Sequence, residues 1–165
     1  MPISRLGSLE FVPMSYSDSI DIVCPPGDAF EIVTDLPKMG RFSPENTGGE
    51  WIGGASGPSV GARFKGTNSR EKDSWFTVAK VVAYDPPTRF VFDVRYKKVF
   101  KVARWQFDVE SAPGGCRVTE TWTDQRSNIA RKQGESDDFK RADYSKVSIR
   151  TTLEKLKEFC EKSST

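Results

Sequence analysis

The stretch DFKRADYSKVSIRTTLEKLKEFCEK, residues 138–162, decides the fold. Ala142, Ile149, Leu153, Leu156 and Cys160 recur at three- and four-residue steps, with Phe159 beside them, which is the spacing a helix of 3.6 residues per turn requires. Asp137 or Asp138 is placed to cap its start, and Lys155, Lys157 and Lys162 suit its electronegative end. The two halves of the stripe differ. Leu153, Leu156, Phe159 and Cys160 are large enough to anchor a core, whereas Ala142, Ser145, Ile149 and Thr152 are smaller and more polar. A helix packed tightly at one end and undersized at the other leaves room beneath its first half, where we expect a pocket gated by residues 125–136.

Nearly everything before this helix reads as strands. Residues 16–23 alternate, with Ile20 and Ile22 on one face. Pro25-Pro26-Gly27-Asp28 breaks that strand, and Ala29, Phe30 and Val33 begin a short helix. A second short helical piece carries Met39 and Phe42 and stops at Ser43-Pro44. Strands are then expected at residues 48–52, 60–68, 75–84, 90–96, 102–110 and 116–124, joined by Gly- and Pro-containing turns, as in an antiparallel meander. Residues 125–136 are polar and read as a loop. A sheet with one apolar face must cover it, and the final helix is the only large cover. The expected architecture is α+β: a curved seven-stranded antiparallel sheet wrapped around a long C-terminal helix, with two short helices after the first strand. Residues 1–14 read as an arm and 15–162 as one domain.

Composition narrows the function. A formal net charge of +2 gives no general case for nucleic acid or an anionic membrane, and no eighteen-residue apolar run exists to insert in a bilayer. The first fourteen residues lack the apolar core of a secretory signal, so a cytoplasmic location is expected. Cys24, Cys116 and Cys160 lie far apart, a pattern that argues against a disulfide framework and against zinc. The absence of histidine removes His-based triads, His metal sites and the usual neutral-pH base. Neither pair of turn glycines opens a helix after a strand, so no nucleotide loop is expected, and no cofactor is implied.

The segments Met39-Gly40-Arg41-Phe42-Ser43-Pro44-Glu45, Glu50-Trp51, Val60-Gly61-Ala62-Arg63-Phe64, Asp85-Pro86-Pro87 and Gly115-Cys116-Arg117-Val118-Thr119-Glu120-Thr121-Trp122 together resemble the START/polyketide-cyclase (SRPBCC) superfamily, over residues 16–161. The similarity is closest to bacterial polyketide cyclase/dehydratase-like members. It implies the helix-grip fold and a hydrophobic ligand, such as a lipid, polyketide or polycyclic aromatic, held between sheet and helix. Some members cyclise or aromatise polyketides, so the resemblance alone does not fix an activity.

Glu120 is the sharpest anomaly. Strand alternation puts it on the face of Val118 and Trp122, toward the pocket. Either it acts as an acid or base or anchors a ligand, or it is a structural carboxylate paired across the strands. Trp75, Trp105 and Trp122 share inward parity, as do Phe64, Phe92, Asn68 and Tyr96, and serve either as ligand walls or as core. Asn68 and Tyr96 offer hydrogen bonds to a ligand oxygen or reach water at their strand ends. Ser145, Ile149 and Thr152 face the pocket from the helix. Glu45 reads as structural. Arg95, Lys97, Lys98, Lys101 and Arg104 cluster on one hairpin that reads as solvated, with an anionic carrier or phosphate as the alternative. Three functions follow: a binding protein, a cyclase or dehydratase using Glu120, or an interaction module presenting Tyr144 and Val147. A monomer or homodimer suits each.

Overall fold

The computed structural model describes residues 14–137 and 139–162. The segment read as an arm thus lies outside them except for Met14, as does Asp138. Seven strands form one antiparallel sheet: β1 (Ser15–Ile22), β2 (Asn46–Ile52), β3 (Arg63–Arg70), β4 (Asp73–Asp85), β5 (Arg89–Tyr96), β6 (Phe100–Ala112) and β7 (Gly115–Asp124). Their order across the sheet is β1-β7-β6-β5-β4-β3-β2, a meander closed by β1 beside β7. The excursion from β1 at one edge to β2 at the other runs through α1 (Pro26–Thr34) and a 3-10 segment, Leu36–Arg41. Pro26 starts α1 because the first helical turn needs no amide hydrogen there. Gly40 lets the 3-10 segment lie on β2: a Cβ there would sit 2.6 Å from the Thr47 carbonyl carbon.

The final helix, α3, spans Arg141–Lys162, three residues shorter at its start than the sequence pattern suggests. The expected loop at residues 125–136 contains a short helix, α2 (Asn128–Gly134), whose Ala130 amide donates to the Ser127 hydroxyl at 3.2 Å. Sequence periodicity missed it because none of its residues is buried.

The second half of α3 holds the molecule together. Ile149, Leu153, Leu156 and Cys160 are all buried to within 2% exposure. Phe159 meets Phe42 edge-on at 5.5 Å, with the Arg41 guanidinium over both rings. The closest backbone neighbours of α3 are β1 and β7. The helix thus covers one side of the concave face and leaves the β3–β6 side less filled. Cys24, Cys116 and Cys160 meet in the core, where burial and their mutual proximity push the Cys116 and Cys160 thiols up to about 12. They are ordinary core residues at neutral pH. No helix among the described residues is long and apolar enough to cross a membrane.

Because Leu153 is fully buried in the anchoring half, Leu153→Ala should cost about 2–5 kcal/mol in urea unfolding. Lys155→Ala, on the exposed side of the same turn, should stay within about 0.5 kcal/mol of the parent.

Candidate functional site

A cavity of about 170 Å³ lies between the first half of α3 and the inner face of the sheet. Its volume comes from small residues on both walls. Gly66, Thr77, Ala79 and Ala103 stand on the strands where larger side chains would fill the space, and Ser145, Ser148 and Thr152 face them from α3. The three helix residues are buried and spaced three and four apart, a stripe set beside the anchoring one.

Of the residues singled out from sequence, Phe64, Asn68, Trp75, Phe92, Trp105, Glu120, Trp122, Ser145 and Thr152 line this cavity. Two do not. Ile149 is fully buried in the core, because one step along a helix turns a side chain by about 100° and places it on the anchoring stripe. Tyr96 is 39% exposed at the hairpin tip. It is the last residue of β5, one alternate position beyond Phe92 and Val94, which do line the cavity. Tyr144, expected on the exterior, lines the cavity, while Val147 is exposed.

The deep part of the cavity is apolar, walled by Leu36, Met39, Phe64, Phe92, Phe107 and Trp122. Glu120 enters it from β7, opposite Phe107 of β6. It is 5% exposed, and its Oε2 has no hydrogen-bond partner. Burial therefore raises its pKa well above the usual carboxylate value and favours the protonated form, which can donate a hydrogen bond. Ser145 Oγ, also buried, lines the same cavity without a partner. Two unsatisfied polar atoms in one cavity are a cost that a folded core rarely carries without a purpose.

The other end is polar and ordered by ion pairs. Arg141 Nη1 donates to both Glu45 oxygens at 3.1 and 3.0 Å, and Arg70 stands 4.0 Å from the same carboxylate. The Arg70 guanidinium stacks 3.8 Å from the Phe139 ring, near Tyr144. Burial and the nearby Glu45 charge raise the Tyr144 pKa, against the pull of Arg141 and Arg70. Arg126, which also lines the cavity, pairs with Asp124 at 2.9 Å and Glu135 at 3.1 Å. Asp124 is buried, which alone would raise its pKa, but the Arg126 hydrogen bonds outweigh that and lower it. Glu45, read from sequence as a structural residue, lines the cavity, while Arg126 and Arg141 gave no signal because their sequence neighbourhoods are polar. Asp124 had a usable signal, since it continues the inward parity of Glu120 and Trp122.

The buried acid has a pH signature. Unfolded, Glu120 titrates near 4.5; folded, it holds its proton to higher pH. The native state then binds more protons than the unfolded state, and stability falls as pH rises above about 4.5. Relative to Glu120→Gln, the parent protein should lose up to about 1.4 kcal/mol per pH unit between that point and the raised folded-state pKa, and run parallel to it outside that window. Urea unfolding across pH measures this.

No curated protein sequence matches the chain. Among solved structures, Ara h 8.0201 superposes with a TM-score of 0.65 at 16% identity, over 90% of this chain and 98% of that one. The di-domain ARO/CYC StfQ from the steffimycin biosynthetic pathway gives 0.74 at 11% identity, over 92% of this chain and 52% of that one, so the present chain spans about half its length. The Polyketide_cyc-like protein Cgl2372 from Corynebacterium glutamicum gives 0.54 at 22% identity, over 90% and 91%. At such identities these likenesses show a shared fold. Residues 13–161 match the sequence model of one family along most of the chain. The chain belongs to the polyketide cyclase / dehydrase and lipid transport family.

Proposed function

We propose that this protein binds a small, neutral, largely apolar molecule that carries one hydrogen-bonding oxygen at its buried end. The observation that carries the reading is the pair of unpartnered buried groups, Glu120 Oε2 and Ser145 Oγ, in one apolar cavity. A ligand carbonyl or hydroxyl would satisfy them, which removes a desolvation cost of about 1–3 kcal/mol per group. A charged ligand end is disfavoured there, because the protein offers it no buried counter-charge. Size supports a compact ligand. An apolar cavity of about 150 Å³ takes one benzene, and this one is about 170 Å³. A long lipid or a polycyclic polyketide exceeds this volume.

A second reading rests on the protonation of Glu120. A neutral carboxylic acid facing a bound carbonyl or hydroxyl is a general acid. It can protonate a hydroxyl that leaves as water in a dehydration, or a carbonyl oxygen as an enol carbon attacks it in a cyclisation; the carboxylate left behind then takes the adjacent C–H or enol proton, which restores the acid. On this reading Glu120 starts each turnover protonated, so acid catalysis fits it better than base catalysis.

Three of the four tryptophans line the cavity, so their fluorescence reports its filling. Acetophenone should quench or shift that emission, and ethylbenzene, which lacks the oxygen, should bind about three- to tenfold more weakly. Glu120→Leu should erase the difference. Equal affinity for the two probes, or no response to either, contradicts the reading. Glu120→Gln keeps a donor and should keep acetophenone binding, while any dehydratase or cyclase turnover disappears.

A further inference from the structure

The register puts one set of strand ends together: Arg70 faces Asp73, Tyr96 faces Phe100, and Ala103 faces Asp124. This is the polar end of the cavity, where Arg126 and Arg141 stand. From it projects the tip of the β5–β6 hairpin, Arg95-Tyr96-Lys97-Lys98-Val99-Phe100-Lys101. The tip is both apolar and cationic. Tyr96, Val99 and Phe100 are 39%, 69% and 58% exposed, and Arg95, Lys97, Lys98 and Lys101 are exposed between them. No acidic residue occurs from 94 to 109 except Asp108, and the Asp93 just before the tip is held by Arg104 at 2.7 Å. The small net charge of the whole chain thus conceals a local concentration of positive charge. Lys97 and Lys98 hold left-handed backbone conformations, φ 51° and 64°, where a glycine or asparagine would be at ease. On α2, which follows the end of β7, Ile129 is 72% exposed and Lys132 is exposed. Immediately behind the tip, Val94, Val102 and Ala103 line the cavity.

We propose that this hairpin tip docks on an anionic lipid bilayer surface. Four lysine and arginine side chains complement the negative headgroups. Three apolar side chains between them match the headgroup–acyl boundary, where aromatic rings and the stems of lysines are favourably placed. An acidic protein would answer the charge and leave Val99 and Phe100 without a match. The attachment is peripheral, by a hairpin tip and not by a spanning helix, and it sets the polar end of the cavity toward the lipid. It stands apart from the ligand reading, because vesicle binding requires no ligand in the cavity.

Co-sedimentation of the full chain with vesicles tests it. The protein should pellet with vesicles of phosphatidylcholine mixed with phosphatidylglycerol and remain in solution with phosphatidylcholine alone. Raising the salt should release it, since screening shortens to about 3 Å at 1 M. The double variant K97E/K98E should bind at least about tenfold more weakly. V99S/F100S, which preserves the charge, should also bind several-fold more weakly. A protein that stays soluble with the anionic vesicles at low salt overturns the proposal and leaves an acidic protein as the occupant. So does a V99S/F100S variant that binds as well as the parent, because the contact is then charge alone without apolar seating.

Discussion

One concave apolar sheet face and one long helix to cover it constrain everything else in this molecule. The sheet is wide, the helix is narrow, and α3 sits against β1 and β7. Its Leu153, Leu156 and Cys160 make that contact dense, and the Phe42–Phe159 pair locks the end of the helix to the segment that precedes β2. What remains uncovered, beneath the first half of α3, stays open because the residues facing it are small, Gly66, Ala79 and Ala103 on the sheet and Ser145 and Ser148 on the helix. Stability and vacancy are thus assigned to opposite halves of the same helix.

The same division sorts the polar groups. At the open end, carboxylates and guanidiniums satisfy one another: Glu45 with Arg141, and Asp124 and Glu135 with Arg126. In the interior no such pairing is offered to Glu120. Burial pushes its pKa up and favours the protonated form, in which a residue that would be an acceptor elsewhere becomes a donor. On the proposed reading, that inversion is what lets a chain without histidine favour neutral, oxygen-bearing ligands.

Much of this was legible in the sequence for a physical reason. Strict period-two alternation, as in Cys116, Val118, Glu120 and Trp122, fixes a strand, its buried face and the anomaly on it together. The resemblance carried by the Met39-to-Glu45 segment and the last strand pointed to the same fold. Other features depend on events that pattern does not encode. The alternation of β5 runs past the end of the cavity, so Tyr96 at the hairpin tip meets solvent where Phe92 and Val94 meet the cavity. Two helix stripes about 100° apart differ by one residue, so the apolar Ile149 joins the core while the polar Ser148 joins the cavity. Arg141 looks like a surface charge until its distant partner Glu45 is in place, and Arg126 until Asp124 is seen to be buried. The residues that create the volume are small and carry no chemistry of their own, so they give no signal one at a time.

The central claim is that a neutral Glu120 in the cavity is the hydrogen-bond partner of the ligand. Carbon-13 NMR of protein labelled at the glutamate carboxyls tests it directly, by titration with and without acetophenone. The account predicts one carboxyl resonance that remains protonated at neutral pH, is absent from Glu120→Gln, and shifts when acetophenone is added. A full set of ionised glutamates at neutral pH, or a protonated Glu120 signal indifferent to the ketone, would contradict it.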